Sequence, residues 1–441
     1  MNLSPAETGA SPPAFRLGRT GESKLKKIMS DNEQREGRFL TRPLMIIFLT
    51  VFIDLIGFGI VIPLLPFFAE EFAATPVDVG LLMSSYSLMQ FVFAPIWGSV
   101  SDRVGRKPVL FFTILGSGIG YLTLGFAGSL MMIYAGRILS GIMGGNLSTA
   151  QAYVADVTSR ENRARGMGLF GMAFGLGFIL GPALAGVLSK FGNQVPFIFS
   201  ASLSFLNAFL VLAILPESLK KADGVHRGTS GRLAMLIASM RNVNFAFIIG
   251  EYFLLITAFS IMTTAFAFYT AVKFGYDAEH TGYLLSYIGF LAAITQGGIF
   301  GPLAKRFGER RLAMAGTLIL ALSLFAVPFI GRDFGGILGL LLGTGIFAVG
   351  NSIASPSLMS LASKSAGETA QGQALGLMQS GASLARVVGP LICGVLLNNR
   401  DNKADSATLT RTFFAAALIM VAAFAAALYS TISEQTSAIS E

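Results

Sequence analysis

The chain has 441 residues, 53% of them hydrophobic and only 13% charged. A soluble domain of this size carries about twice that charged fraction, which excludes an ordinary water-soluble enzyme. The formal net charge of +8 would suit nucleic acid, but the basic residues gather in short loops between apolar runs, the pattern of a membrane protein.

The first elements in chain order are polar. Residues 1–43 carry Pro12-Pro13 and a basic stretch at Lys24, Lys26 and Lys27. They lack a short apolar core with a small-residue cleavage site, so this segment is expected to be a cytoplasmic, largely disordered tail and not a removable signal. Apolar runs near twenty residues long then recur, the length a membrane helix needs. They predict twelve spans. The first six lie at 44–68, 79–100, 109–126, 131–154, 167–188 and 196–215. A polar stretch at 216–244 separates them from six more at 245–269, 281–303, 312–330, 336–361, 374–397 and 411–431, before a short tail at 432–441. The expected architecture is therefore an all-α membrane protein of two six-helix bundles, 44–215 and 245–431, joined by a linker. Most of the 32 Lys and Arg fall on the side that holds both termini and the linker, so that side is expected to be cytoplasmic. The turn after the first span carries Glu70, Glu71 and Asp78 instead.

The halves repeat one another. Gly98-Ser-Val-Ser-Asp-Arg-Val-Gly-Arg-Lys-Pro-Val-Leu110 links the second and third spans, and Gly301-Pro-Leu-Ala-Lys-Arg-Phe-Gly-Glu-Arg-Arg-Leu312 links the eighth and ninth. The fifth span carries Gly168, Gly177, Gly181-Pro182 and Gly186; the eleventh carries Gly376, Gly389-Pro390 and Gly394 at matching spacing. A Gly-Pro pair inside a helix removes a ladder bond and favours a kink, and flanking glycines let a neighbour approach closely. Bent helices at matching positions suit a bundle that rocks about a central site.

These residues resemble the major facilitator superfamily, and within it the twelve-span drug–proton antiporters of the tetracycline-efflux branch. The resemblance spans about residues 44–431. It rests on Asp54-Leu-Ile-Gly57-Phe-Gly59-Ile-Val-Ile-Pro63-Leu-Leu-Pro66 in the first span, on the loop Gly98 to Lys107, on Arg137-Ile-Leu-Ser-Gly141 in the fourth, and on Gly168 to Gly186 in the fifth. Ala185 stands where a glycine is usual, and Lys305 stands in the second loop where the first has Asp102. The resemblance implies that Gly98, Asp102, Arg103, Gly105, Arg106 and Asp156 form a cytoplasmic cluster that latches the halves in the outward-open state. It also implies that Arg137 tunes Asp54.

Asp54 is the leading coupling residue. It lies about halfway through the first span, where a carboxylate costs roughly 2.5–3.5 kcal/mol on insertion scales, so it must face a cavity or a partner. Arg137 is placed within about one helical turn of the same depth, near enough for its long side chain to reach. Glu251, Arg386, Gln90, Asn146, Gln296, Asn351 and Gln379 also lie within spans and are candidates for substrate or ion contacts, or for helix glue. Cys393 is the single cysteine, and His226 and His280 are far apart, so no disulfide or metal site is expected. No phosphate loop occurs in the sequence, and none of its glycine clusters follows a strand, which argues against an ATP-driven pump. The expected function is proton-coupled export of a lipophilic or amphipathic small molecule by a monomeric carrier in a bacterial inner membrane, without cofactor or nucleic acid. A carrier of a polar metabolite and a non-transporting receptor of the same fold are the alternatives, since fold does not fix function.

Overall fold

A computed structural model of the protein describes residues 41–158, 163–219, 243–365 and 371–440. The expected tail before residue 41 and most of the expected linker lie outside the described residues. The first half contains α1 (Arg42–Glu70), α2 (Pro76–Val104), α3 (Arg106–Gly125), α4 (Leu130–Met143), α5 (Asn146–Val157), α6 (Arg163–Ser189) and α7 (Val195–Ile214). The second contains α8 (Val243–Phe274), α9 (Ala278–Ile294), a π turn (Thr295–Ile299), α10 (Phe300–Phe307), α11 (Glu309–Ala326), α12 (Gly336–Ser365), α13 (Gln371–Leu397) and α14 (Ser406–Ser440). Among the described residues, eleven stretches are long and apolar enough to cross a membrane. The remaining crossing is made by α4 and α5 end to end, giving two repeats of six crossings.

The helices are apolar on their outer faces as well as inside. Phe126, Leu322 and Leu418 are largely exposed, which water would not tolerate over so wide a surface and lipid does. This is an integral membrane protein. Helix starts are set locally. Thr75 and Asp78 form a reciprocal capping box ahead of α2, with Pro76 in its first turn. Asp277 caps α9 through the His280 amide.

The structure departs from the sequence-based spans at two places. The fourth span, expected to be continuous, breaks at Gly144-Gly145. Two glycines weaken a helix by about 1 kcal/mol each relative to alanine, and α2 takes up the carbonyls the break releases. Trp97 Nε1 donates to the Ile142 carbonyl at 2.7 Å and Gln90 Nε2 to the Gly144 carbonyl at 3.1 Å. A Cβ on Gly145 would lie 2.4 Å from Trp97, so the indole needs the glycine. The eighth span is interrupted by the π turn, which carries Gln296. By contrast, Pro182 and Pro390 sit inside uninterrupted helices.

The repeated loops reduce to single residues. Gly105 alone separates α2 from α3 with φ 116°, and Gly308 alone separates α10 from α11 with φ 80°. Positive φ is strained for any side-chain-bearing residue, which explains why both loop copies hold glycine there.

Candidate functional site

The two halves meet chiefly through α2 with α13 and α6 with α9. Both pairings are tight at the end that holds the acidic Glu70–Asp78 turn. A Cβ on Gly80 would lie 2.5 Å from the Pro390 carbonyl and 3.0 Å from Gly394 Cα. A Cβ on Gly282 would lie 2.5 Å from the Pro182 carbonyl and 3.0 Å from Gly186 Cα. The Gly-Pro segment of each fifth crossing thus docks on the first turns of the opposite half's second crossing, and the two contacts are near copies. Ser84 Oγ donates to the Val387 carbonyl at 2.7 Å across one interface. Lys190 Nζ meets Glu279 Oε1 at 2.8 Å across the other. The Glu279 carboxylate holds the Lys190 pKa above its ordinary 10.5. At the opposite, basic end the same helices stand apart: Gly98 on α2, Gly168 on α6, Gly301 on α10 and Gly376 on α13 have nothing within 4 Å of an added Cβ. The protein is closed at the acidic end and open at the basic end.

Asp54 sits between these regimes. It is half-buried on α1, lines a small void with Thr50, Leu110, Asn146 and Leu147, and is hydrogen-bonded by the side chain of Asn146. Asn146 opens α5, directly after the Gly144-Gly145 break. Asn207 on α7 donates to the Thr50 carbonyl at 2.9 Å, the helical partner of the Asp54 amide, and so fixes this turn. Gly177 packs on Leu55, and Gly181 on Gly59. The glycines of the fifth crossing therefore seat α6 beside Asp54, and one turn later Pro182 and Gly186 meet the other half.

Arg137 does not pair with Asp54 as the span depths had suggested. It is 2% exposed, its Nε donates to the Leu82 carbonyl at 3.3 Å, and its guanidinium lies 4.5 Å from the centre of the Tyr86 ring. It stands nine residues before Asn146 on the same crossing, about 13 Å along the axis. Counted from the acidic end, Asp54 lies 16 residues before Glu70 on α1 and Arg137 only 7 residues after Leu130 on α4, so the two stand at different depths although each is well inside its crossing. Tyr86 and Tyr121 lie within electrostatic reach of both Asp54 and Arg137, and so bridge the distance between them. Gln90 Nε2 donates to Tyr86 Oη at 3.3 Å and ties this group to the α4–α5 break.

The loop cluster is assembled within the first half. Arg106 meets Asp102 at 2.6 Å and Asp156 at 3.1 Å, and its Nη1 donates to Ser101 Oγ at 2.6 Å. Arg103 is exposed. Glu217, which sequence reasoning left inside the linker, accepts from the backbone amides of Arg106 at 2.9 Å and Lys107 at 3.1 Å. It caps α3 and occupies the space beside Gly105, where a Cβ would fall 2.5 Å from its carboxylate. In the second half Glu309 follows the loop glycine, as Arg106 does in the first, and pairs with Lys364 at the end of the tenth crossing, as Arg106 does with Asp156. The repeat keeps the contact and inverts its charges. Glu217→Gln is expected to lower stability by about 1 kcal/mol, because an amide caps a helix N-terminus less well than a carboxylate. The thermal midpoint of the purified protein checks this; an unchanged midpoint would mean that solvent replaces the cap.

The second half's candidates do not converge into one cluster. Glu251 is 5% exposed and its Oε1 has no hydrogen-bond partner among the described residues; Arg310 acts on it electrostatically. Asn351 Oδ1 is likewise buried without a partner. Gln296 is exposed in the π turn, and Gln379 is half-buried on α13. Among the described residues, the Arg386 side chain makes one hydrogen bond, to Ser383 Oγ at 3.3 Å. Tyr86, Trp97 and the pair Gly80 and Gly282 were missed in the sequence. The glycines carried a signal: each lies at the same distance from the N-cap of its half's second crossing.

The chain matches the sequence profile of the Major Facilitator Superfamily over residues 47–390 and again over 297–440. It is similar to the class C tetracycline resistance protein of Escherichia coli, 32% identical over 356 residues that cover 79% of this chain and 88% of that protein. It is 28% identical over 360 residues to multidrug resistance protein 2 of Bacillus subtilis (strain 168), covering 80% of this chain and 88% of that protein. In structure it is similar to the human organic anion transporter MFSD10 (TETRAN), with a TM-score of 0.65 and 25% identity over 88% of this chain and 99% of that one.

Proposed function

The chain belongs to the major facilitator superfamily, and from that premise we propose that it exports lipophilic or amphipathic small molecules in exchange for protons by alternating access. The observation that carries the reading is the asymmetry around Asp54: near-identical glycine contacts seal one end of the bundle, while the other end is open below a half-buried carboxylate. The relatives that act in tetracycline and multidrug resistance support the efflux direction and the drug-like substrate. With the basic loops in the cytoplasm, as the charge bias favours, the described state is inward-open. The loop cluster then holds Arg106 in readiness within its own half and latches across the interface only once the basic end closes. Asp54 is the proton carrier, and Tyr86 and Tyr121 relay its state to Arg137. A monomer in a bacterial inner membrane with both termini inside fits this arrangement.

The test is transport in proteoliposomes under an imposed pH gradient, over a panel of lipophilic solutes. Accumulation that needs the gradient and collapses with a protonophore is expected. Solute movement indifferent to the gradient would overturn the proton-coupled reading.

A further inference from the structure

From the surroundings of Arg386 we propose that the central site takes a lipophilic organic anion, with Arg386 pairing its acid group and Phe58 and Tyr86 flanking its flat apolar body. This rests on the transporter reading above and names the substrate class for it. Arg386 lies well inside α13, four residues before Pro390 and next to Val387, whose carbonyl holds Ser84 of the opposite half. It is therefore at the junction of the halves. It is half-buried, and among the described residues no carboxylate pairs with it. A guanidinium stays charged in any protein setting and offers five donors in a planar fork. One long bond to Ser383 leaves most of them free. An arginine kept at this depth for structure alone would be expected to have a carboxylate or several carbonyls around it, because an unpaired buried cation is costly.

Its electrostatic neighbours point the same way. Tyr252 on α8 and Tyr86 on α2 lie within its reach. Arg137 stands over the Tyr86 ring, 4.5 Å from its centre. Two cations therefore act on one aromatic residue, and Asp54, the carboxylate that also acts on Tyr86, is engaged by Asn146. The remaining wall is aromatic: the Phe58 ring centre lies 5.5 Å from Tyr86 and 6.2 Å from Phe178. A cationic fork beside tilted and edge-on rings is complementary to a carboxylate, enolate or sulfonate attached to a flat hydrocarbon body. It is poorly suited to a lipophilic cation, which would meet like charge without a counter-ion.

The experiment uses the purified full chain in detergent and two probes of matched shape, 9-anthracenecarboxylate and 9-anthracenylmethyl-trimethylammonium. Trp97 is the single tryptophan and stands two turns from Gln90 on α2, so energy transfer from it to anthracene reports binding, and the saturable part that non-fluorescent benzoate displaces reports the central site as distinct from the micelle. Saturable transfer is expected for the carboxylate, with the ammonium probe at least about tenfold weaker. Arg386→Gln is expected to weaken the carboxylate about tenfold or more without weakening the ammonium probe, and Arg386→Lys is expected to keep part of the affinity. Gel filtration confirms that each variant is folded, and the two-probe comparison in the unaltered protein needs no variant at all. Equal or stronger binding of the ammonium probe, no saturable transfer from the carboxylate, or undiminished carboxylate binding in folded Arg386→Gln would each overturn the proposal. No proton gradient enters the assay, so a failure of proton coupling and a failure of anion recognition are seen separately.

Discussion

Asp54→Asn is expected to abolish gradient-driven accumulation of substrate while leaving gradient-independent exchange across the membrane in place. The amide preserves the shape of the side chain and can still bond Asn146, so the turn held by Asn207 through the Thr50 carbonyl has no reason to unravel. Insertion is not impaired either, because a neutral side chain at this depth avoids the roughly 2.5–3.5 kcal/mol that an aspartate costs on insertion scales. What is lost is a group that can bind and release a proton. Two assays on the same proteoliposomes check this. Accumulation under an imposed pH gradient is expected to fall to the level of empty vesicles, and exchange of labelled for unlabelled substrate at equal pH is expected to stay within about threefold of the unaltered protein. Asp54→Glu keeps a titratable group one methylene further out and is expected to be intermediate. An Asn variant that still accumulates substrate would move the coupling role elsewhere, with Glu251 the next group to examine, since among the described residues it is a buried carboxylate with an unpartnered oxygen.

What the sequence revealed followed the strength of the local signals. Twelve apolar runs and two glycine-bearing basic loops were legible because hydrophobic length and positive-φ turns are decided by nearby residues. The loop glycines at 105 and 308 were predicted from the repeat and are explained by backbone conformation. The Gly-Pro segments of the fifth and eleventh spans were read as packing surfaces, and they are. The interruption of the fourth crossing was hidden because Gly144-Gly145 lies inside an apolar run; what decides the break is Trp97 and Gln90 on another helix. Arg137 was also misassigned. Its span was placed to within a residue, but Asp54 lies 16 residues from the acidic end of α1 and Arg137 only 7 from that end of α4, a difference in depth beyond the reach of a side chain. Glu217 was assigned to a linker because nothing within a few residues of it says that it caps a helix beginning more than a hundred residues earlier.

Gly80→Val and Gly98→Val, on one helix, are expected to shift the carrier in opposite directions. At Gly80 the added carbons would collide with the backbone of Pro390 and Gly394, which cannot move aside as a side chain can. Overpacking of this kind costs roughly 1–3 kcal/mol, which converts to about a 5- to 150-fold change in the balance between states. The acidic end is expected to part, and Gly282→Val is expected to do the same through Pro182 and Gly186. Gly98 lies about five turns further along α2, and therefore on the same face as Gly80 but some 27 Å away. In the described state that position is open, so valine costs nothing there. It is in the closing of the basic end that this face must meet the other half, and a larger side chain there opposes closure. The second half repeats the pattern from Gly282 to Gly301 with one extra residue, which the π turn at Thr295–Ile299 absorbs; a π turn inserts one residue without ending the helix. Cysteine accessibility reads the outcome: Val77→Cys, beside Gly394 at the acidic contact, in a Cys393→Ser background, labelled from the acidic side with an impermeant thiol reagent. Labelling is expected to rise with Gly80→Val and to fall with Gly98→Val. A rise with both would mean that valine merely loosens the bundle, and the glycines would then serve helix packing and not the choice of open end.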